Sequence, residues 1–199
     1  MTGHTSARPP DPCTEHVVQV LVAGPCATAT AALIQSVADG AVLATDIVTD
    51  VPEAPPVEVG AHTATVMGVG SFTAADGTRL LLFGTPGAER GWEISSALRD
   101  EVDAVIFVVD ADAAHTHSVA GVMLRSLALG LRVPLVVAVN RSDDPAQART
   151  LARSLGAPNG ARVSGCQLID PRSGRDVVIE ALDALLVSLD SDASERQVA

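Results

Sequence analysis

Three continuous apolar runs constrain the fold of this 199-residue chain more than any other feature of its sequence. They are "HVVQVLVAG" (16–24), "VDAVIFVVDA" (102–111) and "RVPLVVAVN" (132–140). Such runs are typical of strands that are buried on both faces, as in parallel sheets covered by helices. Helical spacing follows each run, at about 27–39, 113–129 and 144–156. Because parallel strands need long crossover connections, this alternation predicts an α/β protein.

The remaining segments complete the pattern. "TATVMGVGSF" (63–72) and "TRLLLFG" (78–84) flank the turn-forming "AADG", which predicts an antiparallel hairpin. Residues 40–61 include three prolines and are interpreted as a long loop. "ARVSGCQLID" (161–170) could form a last strand, and "GRDVVIEALDALLVSL" (174–189) has the pattern of an amphipathic helix. We therefore predict a mostly parallel open sheet with one antiparallel hairpin strand and helices on both faces.

Composition and charge narrow the function. We expect a flexible arm over 1–15, a single domain over 16–190 and a polar tail over 191–199. The net charge of −11 argues against nucleic acid or an anionic membrane as a partner, because both need basic surface. No apolar run approaches the ~18 residues of a membrane span, and the polar N-terminus is not a secretory signal. The three widely spaced cysteines form no disulfide framework, so we expect a cytoplasmic protein.

The predicted topology places any ligand site at one edge of the sheet. In open α/β sheets, ligands bind beyond the carboxyl ends of the strands. The loops concerned follow Ala23, Phe83, Asp110, Val139 and Leu168. Asp110 and Asp112 end a strand, and we expect them to cap the next helix.

Four segments carry a resemblance to a known family. They are "LVAG" (21–24), "LFGTPGAER" (82–90) followed by Trp92, "VVAVNRSD" (136–143) and the final amphipathic helix. In order and spacing they resemble small Ras-like GTPases, most closely those of bacterial conservon operons, which are similar to the gliding-motility GTPases. The resemblance covers about 17–189 and implies a Ras-like P-loop fold. It also implies a Roadblock/LC7-domain partner and a sensor-kinase-like membrane protein of the same operon, through which the chain could be recruited to a membrane.

The first loop departs from the phosphate-binding pattern G-x-x-x-x-G-K-[ST]. Gly24 matches the first glycine, whereas Ala29 stands for the second glycine, Thr30 for the Lys and Ala31 for the Mg²⁺ ligand. All basic residues of the chain are Arg, so no other register supplies a Lys. Loss of the Lys contact and of the Mg²⁺ bridge should remove roughly 3–6 kcal/mol, or about 10² to 10⁴ in affinity. The alternative interpretation is an ordinary strand–turn–helix junction.

The middle, switch-like loop departs from D-x-x-G-Q in the same direction. Its residues of interest are Gly84, Gly87, Ala88, Glu89, Arg90 and Trp92. Gly87 matches the glycine whose amide senses the γ-phosphate, while Gly84 stands at the aspartate position. Ala88 replaces the glutamine that orients the attacking water, so hydrolysis loses its positioning group. Trp92 is interpreted as a packing anchor or as a partner contact.

The third motif, "NRSD", favours a base-binding site. It resembles N-K-x-D, in which the Asp accepts hydrogen bonds from guanine. Asn140, Arg141 and Asp143 have the right spacing, and an Arg guanidinium can stack on a base. The alternative is that these residues only cap the helix that starts at Pro145. Ile169 is our candidate in the loop that would approach the guanine.

Three functional hypotheses follow. The favoured one is a pseudo-GTPase, a signalling module that acts through protein partners with little or no hydrolysis. The others are a working GTPase with unusual phosphate chemistry and a nucleotide-free structural subunit. We predict no catalytic residues and no metal site, with GTP or GDP bound weakly, without Mg²⁺, or not at all. Thr63 and Thr65 are candidates for a switch threonine, although a strand threonine fits them better.

Overall fold

The computed structural model describes residues 16–40, 42–47, 65–85 and 101–198. Within them the strands are β1 (Val17–Ala23), β2 (Leu43–Ile47), β3 (Thr65–Thr73), β4 (Arg79–Gly84), β5 (Ala104–Asp110), β6 (Leu135–Asn140) and β7 (Arg162–Cys166). The α-helices are α1 (Ala27–Val37), α2 (His117–Ala128), α3 (Pro145–Ser154) and α4 (Pro171–Val198). A 3₁₀ turn, Ala114–Thr116, precedes α2.

The strands form one 7-stranded sheet in the order β2-β3-β4-β1-β5-β6-β7. Strand β3 is antiparallel to both β2 and β4, whereas the pairs from β4 to β7 are parallel. A hydrogen bond from Ala74 N–H to the Thr78 carbonyl closes the predicted β3–β4 hairpin. This topology confirms the predicted mostly parallel sheet with one antiparallel strand.

The helices cover both faces of the sheet, as the apolar runs predicted. Successive side chains of a strand point to opposite faces. Val20 and Val22 accordingly lie in the core layer beneath α1 and α4, which includes Leu33 and Val177. Leu21, one residue along, belongs to the layer beneath α2 and α3. The two layers hold the central strands rigidly and bring their carboxyl ends to one edge.

Two segments differ from the sequence-based expectation. Residues 40–61 were interpreted as a loop, but Leu43–Ile47 forms β2, which pairs antiparallel with β3. The prolines that indicated a loop come only after this strand. Helix α4 continues to Val198, so residues 191–198 of the expected polar tail are helical. No Gly or Pro interrupts the chain between Gly174 and Val198, so the helix has no local stop signal.

Local signals predicted the start of α3 correctly. Asp144 is its N-cap and accepts a 2.8 Å hydrogen bond from Ala146 N–H, with Pro145 at the first helical position. Helix α2 begins later than predicted, because the 3₁₀ turn occupies the first residues of that segment. None of the helices in the described ranges combines the length and apolarity needed to cross a bilayer.

Candidate functional site

The carboxyl ends of β1, β4, β5, β6 and β7 carry the predicted site residues in two groups. We call residues 24–31 together with Gly84 and Thr85 the phosphate half. We call Asp110, Asp112, residues 140–143 and residues 166–169 the base half. The names follow the sequence-based expectation for a nucleotide site.

The loop of the phosphate half is short. It comprises Gly24, Pro25 and Cys26, and α1 begins immediately after it. The N–H groups of Ala29 and Thr30 each donate a 3.2 Å hydrogen bond to the Cys26 carbonyl. Both groups stand where a phosphate loop would present free N–H donors. In this chain they close the first turn of the helix instead.

Gly24 is explained by packing against strand β5. A Cβ at this position would collide with the backbone carbonyl of Val108. The glycine therefore allows β1 to leave the sheet beside β5, whether or not a ligand is bound. Packing is therefore a second reason for a glycine at the first position of the phosphate-loop pattern.

Thr30 is buried inside the fold. The residue is only 2% exposed, and its Oγ1 donates a 2.9 Å hydrogen bond to the Ala27 carbonyl. This hydroxyl satisfies itself within α1, as threonines in helices often do. Ala31 follows with no side-chain ligand atom. The positions expected to hold a Lys and a Mg²⁺ ligand thus carry neither charge nor a free oxygen.

An apolar cleft of ≈ 300 Å³ lies between the start of α1 and strands β3 and β4. Ala31, Ile34, Gly84 and Thr85 contribute to its lining. A Cβ placed on Gly84 would come within 2.6 Å of Ile34 Cδ1. Ile34 Cδ1, the end of a flexible side chain, therefore lies against Gly84 at the wall of the cleft. The sequence analysis did not predict this packing. Glycines in the neighbouring strands β3 and β4 are nevertheless a signal that another element approaches the sheet closely.

Thr85 is a second residue that the sequence analysis did not single out. It is 2% exposed, and its N–H donates a 2.9 Å hydrogen bond to the Val22 carbonyl. Its Oγ1 has no hydrogen-bond partner within the described residues. A buried hydroxyl of this kind ordinarily finds a partner.

Cys26 immediately precedes α1 and has a thiol with a lowered pKa. Its Sγ lies 3.0 Å from Thr28 Oγ1, and the residue is half-buried. Burial acts to raise the pKa of Cys26, but hydrogen bonds from the Thr28 hydroxyl and from the Ala29 and Thr28 N–H groups outweigh it, so the pKa is lowered.

Asn140 is the structural centre of the base half. It is buried at the end of β6, and its Nδ2 donates a 3.2 Å hydrogen bond to Asp110 Oδ2 at the end of β5. Its Oδ1 accepts a 2.9 Å hydrogen bond from Leu168 N–H beyond β7. One side chain thus joins the ends of three parallel strands.

Arg141 has a left-handed backbone conformation, with φ of 59°. Its Nε lies 3.3 Å from Asp110 Oδ2, and its Nη1 lies 3.8 Å from Asp112 Oδ2. The expectation that Asp110 and Asp112 cap the next helix is wrong. Thr116 is the residue that precedes α2. Asp110 instead accepts hydrogen bonds from Asn140 Nδ2 and the Asp112 N–H, and it forms an ion pair with Arg141.

Asp143 is exposed at the mouth of the base half. Its Oδ1 accepts a 2.9 Å hydrogen bond from Gln167 Nε2. Because Asp144 caps α3, Asp143 has no capping role and its carboxylate faces the loop after β7. Ile169 in that loop is 94% exposed, which is unusual for so large an apolar residue. The structure thus brings Asn140, Arg141 and Asp143 together.

Several predicted residues lie outside the described residues. These are Gly87, Ala88, Glu89, Arg90, Trp92 and Thr63. Thr65 begins strand β3. Within the described ranges, no group of three or more His, Cys, Asp or Glu side chains could hold a metal ion.

Comparison with known proteins identifies the fold. No protein-family model matches the chain, and no curated protein sequence matches it. The G domain of the T. maritima FeoB iron transporter is 17% identical, with a TM-score of 0.54 over 84% of this chain and 99% of that one. The Arl6 (BBS3) small GTPase from Trypanosoma brucei, solved with GppNp bound, is 15% identical, with a TM-score of 0.59 over 86% of this chain and 99% of that one. The chain therefore has the fold of the small GTPases.

Proposed function

We propose that this protein is a catalytically impaired, Ras-like pseudo-GTPase that works as a signalling or regulatory binding module. Its output passes through protein partners rather than through turnover of GTP. Guanine nucleotide binds weakly, without Mg²⁺, or not at all. The resemblance stated above makes a Roadblock/LC7-domain protein the first partner to test and a sensor-kinase-like membrane protein the second.

Among the described residues, the lack of cations and metal ligands at the cleft between α1 and β4 carries this proposal. A Mg²⁺–triphosphate needs oxygen ligands and a cation beside the phosphates. Ala31 and Gly84 provide no oxygen side chain, and Ile34 gives one wall of the cleft an apolar surface. The N–H groups of Ala29 and Thr30 are already used within α1. These donors do not fit a metal-bound triphosphate.

The base half supports residual recognition of guanine. A carboxylate accepts up to about four hydrogen bonds, and Asp143 Oδ1 is held from one side by Gln167. The side chain is exposed and placed beside the backbone of the loop after β7. This arrangement suits a group that accepts from the N1–H and amino group of guanine, with no contribution from a metal.

Calorimetry of GDP and GTP binding tests the proposal. We expect weak binding that changes less than about twofold when Mg²⁺ is replaced by EDTA, because the protein offers no metal ligand. Asp143→Ala should abolish this binding, whereas Asp183→Ala, an exposed aspartate on α4, should leave it unchanged. Tight, strongly Mg²⁺-dependent binding would refute the proposed phosphate half.

A working GTPase is the second candidate, favoured by the nucleotide analogue in the Arl6 neighbour. Phosphate release should be measured for the chain alone and with a purified Roadblock-domain protein. We expect no multiple turnover in either case. Sustained turnover would establish the enzyme instead, and no thermal shift with millimolar GTP, GDP or ATP would indicate a nucleotide-free scaffold.

A further inference from the structure

Helix α4 presents two different faces. It is 28 residues long, which corresponds to about 42 Å at 1.5 Å per residue. One face packs on the sheet and on α1 through Val177, Val178, Ala181 and Ala184. A neighbouring face carries large apolar side chains that the described residues leave exposed.

These exposed side chains form a regular seam. We define the α4 seam as Ile179, Leu182, Leu186 and Leu189, which follow the 3-4-3 spacing of a and d positions in a heptad repeat. Ile179, Leu186 and Leu189 are 54%, 60% and 54% exposed, and Leu182 is half-buried and also packs against the core. Such spacing is typical of a helix that packs along a second helix.

A row of acidic residues runs along one flank of the seam. Asp176, Asp183 and Asp190 repeat at seven-residue intervals and are all exposed. Seven residues advance a helix by almost two turns, so the three carboxylates lie in line. Each follows a d position directly and occupies an e position, from which coiled-coil helices choose partners by charge.

The charge pattern argues against a second copy as the occupant. In an antiparallel pair of copies the aspartate rows would face each other, and like charges at such positions are destabilising. In a parallel pair they would face g positions, which hold Val178 and Leu185 here and provide no cation. Arg175 precedes the seam, and its Nε donates to the Ser36 carbonyl. Among the described residues of α4, self-pairing therefore places no cation at the positions that would face this row.

We infer that the α4 seam docks an amphipathic helix of another protein that carries apolar a and d residues and a row of Lys or Arg facing Asp176, Asp183 and Asp190. The apolar residues provide the contact area, and the opposite charges select the partner and its orientation. This surface deepens the proposed role as a binding module. Docking on the seam needs no nucleotide. A failure of the docking proposal is therefore distinguishable from a failure of the proposed nucleotide site.

The first experiment uses a fluorescent four-heptad helical peptide with Leu at a and d and Lys on the flanks. A matched peptide has Glu in place of Lys. Fluorescence anisotropy measures binding of each peptide to the full-length protein. The buffer contains about 150 mM salt, which limits non-specific attraction of the Lys peptide to the acidic chain. We expect the Lys peptide to bind at least tenfold more tightly than the Glu peptide. Equal binding of the two, or no binding of the Lys peptide, would overturn the inference.

Variants locate the binding surface. Ile179→Ser with Leu186→Ser should weaken Lys-peptide binding at least tenfold, whereas Val122→Ser, at a residue 60% exposed on α2, should not. Asp183→Arg with Asp190→Arg should reverse the preference and favour the Glu peptide. Circular dichroism checks that each variant is folded. An equal loss of Lys-peptide binding in Val122→Ser would contradict the assignment of the α4 seam as the binding surface. A dimer in sedimentation equilibrium that is lost in the seam variants would contradict it as well.

Discussion

The two halves of the candidate site differ in where their polar groups find hydrogen-bond partners. In the phosphate half, Thr30 Oγ1 and the N–H groups of Ala29 and Thr30 bond within the first turn of α1. In the base half, Asn140 bonds across strands, to Asp110 on one side and to Leu168 on the other. The first half is closed on itself, whereas the second is a framework that holds exposed groups in place.

The two halves of one candidate site thus differ in how many of their polar groups are left at the surface. Apolar packing of Ile34 over Gly84 gives the phosphate half a structural role in the core. The base half keeps Asp143 and Arg141 at the surface on a buried polar support. Cysteine labelling rates and free energies of unfolding measure this contrast.

The largest difference should appear in the reactivity of one cysteine from each half. Burial, with a smaller contribution from Asp110, raises the pKa of Cys166 from 9.0 to about 12, whereas the pKa of Cys26 is lowered. Only the thiolate is alkylated, so at pH 8 Cys166 should react more slowly by a factor on the order of 10³ or more. Mass spectrometry after iodoacetamide treatment of a Cys13→Ser variant measures both rates.

The pH dependence provides the control for this prediction. A thiol loses thiolate tenfold per pH unit once the pH falls below its pKa. Because the pKa of Cys26 is lowered, this loss begins at a lower pH than in a simple cysteine peptide. Lowering the pH should therefore slow labelling of Cys26 less than labelling of the peptide. Thr28→Val should remove part of the advantage, because the Thr28 hydroxyl stabilises the thiolate. Labelling of Cys166 at the same rate as Cys26 in the folded protein would contradict the contrast.

Restoring an aspartate in the phosphate half should be strongly destabilising. Gly84→Asp forces a carboxylate against Ile34, and we expect the free energy of unfolding in urea to fall by about 3 kcal/mol. Gly84→Ala should have a smaller effect, because only a methyl group meets Ile34 Cδ1. In an Ile34→Ala background the aspartate should cost less. A loss below about 0.5 kcal/mol for Gly84→Asp would show that Ile34 moves aside without cost and that this packing does not exclude a carboxylate.

Removing the support of the base half should have the smallest effect of the three. Asn140→Ala leaves the buried Leu168 N–H without its acceptor, and we expect a loss of about 2 kcal/mol in the free energy of unfolding. Asp143→Ala is the matched control, since an exposed residue beside the site should change stability by less than about 0.5 kcal/mol. Equal effects of the two substitutions would mean that Asn140 has no framework role.

Much of the fold and part of the site could be predicted from local patterns. The apolar runs indicated the parallel strands, and the Asp144–Pro145 pair indicated the start of α3, because these signals act over a few residues. Strand β2 was missed because a short edge strand of five residues is defined by its pairing with β3. The partners of Asp110 were also missed, since Asn140 lies thirty residues along the chain.

The sequence by itself determined the fold class and the residue types at the expected phosphate and metal positions, because the presence of a Lys or a metal ligand at a given position is a property of residue type. Only the tertiary structure decided what these residues and their neighbours contact. Ile34 packs against Gly84, Asn140 joins three strands, and the α4 seam emerges on one face of a long helix. Each of these depends on residues distant in sequence meeting at one place, which no local pattern encodes.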